Sequence, residues 1–246
     1  MKFAIISAGE GSRLAQEGVL VPKPLVRING EPMIDRLIRI FTDCGAEEVV
    51  VIVNNLTTMV HDHLAALKTS VPVKVLVKTT PSSMHSFYEL SPYLDGGKFC
   101  LTTVDTIFRE EEFKQYIEEF KMTDGNGLMA VTDFVDDEKP LYVSTNAALD
   151  IMGFHDSIDD FQCSEACQTH HADCRFISGG IYCLDARALV TLQHCMERGL
   201  SRMRNFQRQL VADGLRLKAR PFTKILDVDH ATDIAKAEGF LKTIDE

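Results

Sequence analysis

Directly behind the first apolar run of the chain stands SAGEGSRLAQEGVLVPKPL, Ser7 to Leu25. Its residue types are those of an anion clamp. Ala8, Gly9 and Gly11, with Ser12 beside them, are small enough to let backbone N–H groups approach a negatively charged ligand closely. Arg13 adds a planar fork that matches phosphate oxygens, and Lys23, ten residues on, adds a compact positive charge. Taken alone, Gly9-Glu10-Gly11 is an ordinary turn after a strand and Lys23 an ordinary solvated lysine. The combination points to polyphosphate, because Pro22 and Pro24 fix the backbone on both sides of Lys23, as an aimed charge requires. Two other phosphate loops are excluded by spacing. A Walker loop needs four residues between its glycines and then Gly-Lys-Ser/Thr, and a dinucleotide fingerprint needs a third glycine where Leu14 stands.

The acidic candidates lie far from this loop in sequence. Asp105 follows the apolar run KFCLTT, and Asp227 and Asp229 lie in KILDVDHATDIAKAE near the end of the chain. An isolated aspartate after a strand or before a helix commonly serves a turn or a cap, so residue type alone leaves their roles open.

The elements that must position these groups alternate between short β-rich runs and amphipathic helical stretches, which predicts a mainly parallel sheet with helices on both faces. Strands are expected at Lys2 to Ile6, Glu47 to Val53, Val73 to Lys78 and Lys98 to Thr103. The helices between them are expected at Pro32 to Gly45, Thr57 to Lys68 and Ser83 to Leu94. Asp105 then falls past a strand's carboxyl end, the edge where open parallel sheets bind ligands. From about Gly127 the texture changes. GLMAVTDFV, PLYVSTN and RFISGGIYCL read as further strands with less helix between them, around a polar stretch from His155 to Arg175. Helices at Ala186 to Arg198 and Ser201 to Asp213, a strand at Leu215 to Pro221 and a helix at Ala231 to Leu241 complete the pattern. With no repeat and no linker composition, residues 1–246 read as one domain, with the change of texture dividing 1–125 from 126–246 and a substrate-facing insertion in the second half.

Composition bounds the partners. The 246 residues are 45% hydrophobic and 25% charged, an ordinary globular balance, with a formal net charge of −10. Such an acidic chain is not expected to bind a nucleic-acid backbone or an anionic membrane. No apolar stretch approaches the roughly 20 residues of a membrane helix, and the apolar start is too short for a secretory signal. The seven cysteines fit reduced thiols better than a disulfide framework, so the chain is read as cytoplasmic.

AGEGSRL, then PKPL, then INGEPMI together resemble the N-terminal signature of nucleotidyltransferases that join an NTP to a sugar 1-phosphate or a related phosphate monoester. The resemblance implies a Rossmann-like α/β/α fold with a mixed, mainly parallel central sheet. It implies that the small-residue loop and Arg13 wrap the NTP phosphates and that Lys23 contacts the substrate or the α-phosphate. It also implies a Mg²⁺ ion held by two acidic positions, Asp105 and either Asp227, which the spacing of sugar-type members favours, or Asp229, which phosphocholine-type members admit. Ser82 and Ser83 become candidate nucleobase contacts, with N-capping the alternative for Ser83. Gly179 and Gly180 become candidates for close approach to the acceptor, with a β-bulge the alternative.

The expected reaction is nucleotidyl transfer to a sugar 1-phosphate with release of pyrophosphate. The alternatives are cytidylyl transfer to a phospho-amino-alcohol such as phosphocholine, or a nucleotide-sensing module without turnover. A glycosyltransferase of similar fold fits less well, since TTVDTIF has one aspartate where such enzymes carry Asp-x-Asp. Sugar-type members also carry Glu-Lys-Pro just before the glycine-rich strand. Here Glu138-Lys139-Pro140 stands too early for that, which puts the sugar-phosphate lysine in doubt. The group Cys163, Cys167, His170, His171 and Cys174 lacks a paired Cys-x-x-Cys spacing, and reduced loop cysteines with incidental histidines explain it more simply than zinc does.

Overall fold

The computed structural model describes residues 1–56, 58–136, 138–162 and 173–243. The chain runs β1 (Lys2–Ser7), α1 (Ser12–Gln16), a 3₁₀ turn (Lys23–Leu25), β2 (Arg27–Ile28), β3 (Glu31–Pro32), α2 (Met33–Asp43), β4 (Glu48–Val53), α3 (Met59–Ala66) and β5 (Val73–Val77). It continues with α4 (Ser83–Leu90), β6 (Phe99–Thr103), β7 (Thr106–Ile107), α5 (Glu110–Met122), β8 (Gly127–Thr132), β9 (Tyr142–Thr145), β10 (Ile151–His155) and α6 (Ile158–Gln162). The last part is β11 (Asp173–Leu184), α7 (Arg187–Glu197), α8 (Met203–Ala212), β12 (Leu217–Pro221), β13 (Leu226–Asp227) and α9 (Ala231–Lys242).

Among the described residues, nine strands form one sheet along the path β10-β9-β11-β6-β1-β4-β5, with β8 on β11 and β12 on β8. The β6-β1-β4-β5 group is parallel throughout. The long β11 is the antiparallel seam, pairing with β6, β8 and β9. Alternation along β1 sends Phe3 and Ile5 to one face and Ala4 and Ile6 to the other, and both faces are buried. That is why parallel strands read as continuous apolar runs rather than alternating ones. The first face is covered by α2, α5 and α9, and the second by α4, α7 and α8. The result is the three-layer, mainly parallel arrangement that the alternation predicts.

Local chemistry explains the boundaries. Ile34, Leu37, Ile38 and Phe41 put an apolar stripe on α2, and the helix stops at Gly45, whose φ of 78° is left-handed. Gly45 N donates to Thr42 O and Ala46 N to Phe41 O, the two bonds of a Schellman motif. The helix expected from Ser83 to Leu94 ends at Leu90 and passes into a 3₁₀ turn at Ser91–Tyr93, where Pro92 has no N–H to continue it. Some features lie outside the expected pattern. β10 fills a stretch to which the pattern assigns no element, the short helices α1 and α6 fall in the phosphate-loop candidate and the polar stretch, and two-residue ribbons, β2–β3 and β7–β13, sit outside the main sheet. Among the described residues, no helix is long and apolar enough to cross a membrane.

Candidate active site

The loops that follow β1, β5 and β6 open at the carboxyl ends of the parallel strands, around a cleft of about 440 Å³. Ala8, Gly9, Gly11, Ser12, Arg13 and Lys23 all line it, as do Ser82, Ser83, Asp105 and Asp229. Gly11 is needed twice over. Its φ of 61° is left-handed, and a Cβ there would lie 3.0 Å from the Cβ of Lys23. The loop is also tied to the sheet, because Asn54 Nδ2 donates to Gly9 O at 2.9 Å. Asn54 is a residue that sequence reasoning passed over, since it belongs to no motif.

Lys23 begins the 3₁₀ turn and is mostly buried, with its side chain 12% exposed. Its Nζ lies 2.5 Å from Asp105 Oδ2 and 2.6 Å from Asp229 Oδ1. Burial pulls the ammonium's pKa down, but the charges and hydrogen bonds of Asp105 and Asp229 outweigh burial, so the net shift is upward. Arg13 NH1 reaches the other oxygen of Asp229 at 3.0 Å. Two cations and two carboxylates therefore meet at one point.

The short β7–β13 ribbon brings the two acids together across the chain. Ile107 pairs with Leu226 and Thr106 with Asp227, and Val228 N donates to Asp105 O at 3.1 Å. This register turns Asp229 toward Lys23. Asp227, the position that spacing favours, lies in an adjoining cleft and does not line the first one. The cap of α9 is likewise neither aspartate. His230 is the N-cap, in a capping box with Asp233, whose Oδ2 accepts from the N–H of both Asp229 and His230.

A hard divalent cation fits this junction on chemical grounds. Two carboxylates converge on a position now held by an ammonium, and Asp105 Oδ1 is buried without a hydrogen-bond partner among the described residues. Two protein oxygens with the remainder left to phosphate and water is the usual Mg²⁺ arrangement. Among the described residues, no group of three or more His, Cys, Asp or Glu could hold a metal. Cys163, Cys167, His170 and His171 lie outside the described residues, and Cys174 is buried.

On the far side of the first cleft, the N-cap of α4 is Ser82, one residue before the alternative read for Ser83. Its Oγ meets His85 Nδ1 at 2.8 Å. Thr80 and Ser86 share a 2.6 Å hydrogen bond beside it, and both line the cleft without any sequence signal beyond polarity.

A second cleft of about 380 Å³ shares Arg13 and Asp229 with the first. Thr132, Phe134, Asp136, Glu138, Asp227 and Lys236 are among its walls. Lys139, set aside as too early in the chain, also lines it, because the segment after β8 turns back along the glycine-rich β11. Gly179 borders this cleft, and a Cβ there would fall 2.3 Å from Ile225 Cδ1. Gly180 borders neither cleft. It has φ of 73°, faces the hydroxyls of Thr103 and Thr106, and sits where the β11–β8 register shifts. Gly180 thus sits at a bulge, and Gly179 packs against Ile225 where β11 borders the second cleft.

Three comparisons place the chain. The profile of the MobA-like NTP transferase domain matches residues 3–210, and the chain belongs to that family. A 115-residue stretch is 30% identical to the 2-aminoethylphosphonate cytidylyltransferase of Lancefieldella rimae, covering 45% of each protein, so the match spans less than half the length of that relative. The inositol-1-phosphate CTP transferase of T. maritima superposes with a TM-score of 0.77 at 16% identity, over 98% of this chain and 96% of that one. A Bacillus anthracis protein assigned as a glucose-1-phosphate thymidylyltransferase superposes with a TM-score of 0.79 at 16% identity, over 100% and 97%. At such identities the two structures show a shared fold.

Proposed function

We infer that this member of the MobA-like NTP transferase family moves a nucleotidyl group from an NTP to a small phosphorylated acceptor, releasing pyrophosphate. The observation that carries the reading is the meeting of Arg13, Lys23, Asp105 and Asp229 in the first cleft, with Arg13 and Asp229 also lining the second. One cleft suits the nucleotide and the other the acceptor.

In this reading an acceptor phosphate oxygen attacks the α-phosphorus in line. The new P–O bond forms as the bond to the β-phosphate oxygen breaks, and pyrophosphate takes that electron pair. The backbone of Ala8 to Ser12 and the Arg13 guanidinium hold the triphosphate, and Lys23 turns its ammonium to the α-phosphate or the acceptor phosphate. Asp105 and Asp229 would hold Mg²⁺, which neutralises phosphate charge and polarises phosphoryl oxygens when bound. A phosphate monoester is already ionised near neutral pH, so no general base is needed. Positioning and charge do the work.

The signature favours a sugar 1-phosphate as acceptor. One observation favours the phospho-amino-alcohol class instead. The second cleft carries Asp136, Glu138, Asp227, Asp229 and Asp233 against Arg13, Lys139 and Lys236, a net negative lining that suits an acceptor bearing an ammonium. The name of the Lancefieldella relative, which acts on an aminophosphonate, supports that choice and CTP as donor.

The deciding experiment measures pyrophosphate release from each of the four NTPs against sugar 1-phosphates, phosphocholine and 2-aminoethylphosphonate, with Mg²⁺ present and absent. A Mg²⁺-dependent signal with CTP and an amine-bearing acceptor supports the second class, and one with a sugar 1-phosphate supports the first. Silence throughout, with NTP binding still seen by calorimetry, would leave the sensing module as the reading.

A further inference from the structure

The helix that carries Arg13 also grips the acidic loop at a second point. α1 is a single turn, and Glu17, its C-cap, follows Arg13 by four residues, so both side chains leave the same face. Arg13 holds the side chain of Asp229. Glu17 holds the next two residues: Oε1 meets His230 Nδ1 at 2.6 Å, and Oε2 accepts from Ala231 N at 2.7 Å, one of the open N–H groups at the start of α9. These contacts join segments more than 200 residues apart, and both partners are more than one-third exposed. An exposed pair of this kind adds little to global stability.

We propose that Glu17 is a positioning residue, which keeps Asp229 aligned with the phosphate loop once the nucleotide has drawn Arg13 and Lys23 away from it. The proposal rests on reading the first cleft as the NTP site. In this structure Asp229 is fixed by Arg13 and Lys23. Triphosphate oxygens compete for both cations. When they take them, the segment 229–231 is anchored upstream by the β7–β13 ribbon and across to α1 by Glu17, while Asp233 Oδ2 fixes its N–H groups from within α9. The contact therefore matters least in the empty protein and most in the loaded one. A plain surface cap would show no such difference.

The test uses Glu17→Ala and Glu17→Gln in the full chain, with the NTP and acceptor that give turnover in the wild type. For Glu17→Ala the expected result is a roughly tenfold fall in kcat, with KM for the NTP within about twofold and the ligand-free unfolding midpoint nearly unmoved. Glu17→Gln keeps an acceptor for Ala231 N and recovers most of the turnover. Hydrogen exchange over residues 228–237 gives a readout independent of activity. Adding Mg²⁺ and NTP should speed exchange there in Glu17→Ala and slow it in the wild type. Unchanged kcat and the same nucleotide effect on exchange in both proteins would overturn the proposal, whatever happens to the midpoint. A wild type whose exchange around residues 8–13 ignores all four NTPs would sink the reading of the cleft itself, a failure visible before any variant is made.

Discussion

Lys23 is the residue on which the site turns, and its surroundings were legible only in part. Gly11, Arg13 and Lys23 could be singled out together because their chemistry and spacing are local to one stretch of chain, and one cleft gathers them. Which acid lies beside Lys23 could not be read that way. Whether Asp227 or Asp229 faces Asp105 depends on the register of a ribbon two residues long, which no periodicity can reveal. Lys23→Ala and Asp105→Asn are each expected to lower kcat by about 10²- to 10³-fold, the usual loss when one aimed charge is removed from a transition-state clamp. Circular dichroism should show both variants folded. Gly11→Ala separates geometry from charge. A left-handed alanine costs about 1 kcal/mol, and its Cβ would press on Lys23. Thermal unfolding should show that modest loss, while turnover falls more than the stability change alone would explain.

At the scale of elements, the parallel half was readable because strands buried on both faces leave long apolar runs and because α2 advertises its stripe and its glycine stop. The second half was harder. β10 is five residues long with partly exposed positions, and Lys139 reaches the second cleft only because the chain folds back after β8. Tertiary path, not local propensity, decided both. The elements around α2 give a pH prediction. Arg39 reaches Glu31 in β3 and Glu110 at the start of α5, with four nitrogen–oxygen contacts of 2.9 Å. Its hydrogen bond holds the Glu110 carboxyl below its ordinary pKa, against a smaller opposing effect of burial. A lowered folded pKa means the stabilising contribution is present above the unfolded value near about 4.3 and is lost as pH falls through the folded value. Glu110→Gln should therefore unfold at a lower temperature than wild type at about pH 6, and the gap should close toward about pH 3. A gap independent of pH would refute the charge argument.

The whole molecule is held by two cores, and an aromatic ladder in one of them leads to the acidic side of the site. Phe3 stacks on Phe41 at 4.7 Å, Phe41 on Phe113 at 5.6 Å, and Phe113 on Phe108 at 4.7 Å. The ladder thus passes from the central strand through α2 and α5 to the residue following β7. That strand holds Asp105 against Asp229 through its pairing with β13. Removing a buried ring costs about 3–5 kcal/mol, a large share of the roughly 5–15 kcal/mol that keeps a domain folded. Phe113→Ala should therefore lower the midpoint by roughly 6–20 °C. Leu210→Ala on the opposite face should cost about 2–5 kcal/mol. The two differ in what ligand can restore. Ligand raises the midpoint by mass action only so far as the site still binds it. Mg²⁺ and NTP should lift Leu210→Ala by the wild-type increment and Phe113→Ala by less, because the loss under Phe108 loosens the β7–β13 ribbon. Equal increments in both variants would show that the ribbon holds its register without the aromatic ladder beneath it.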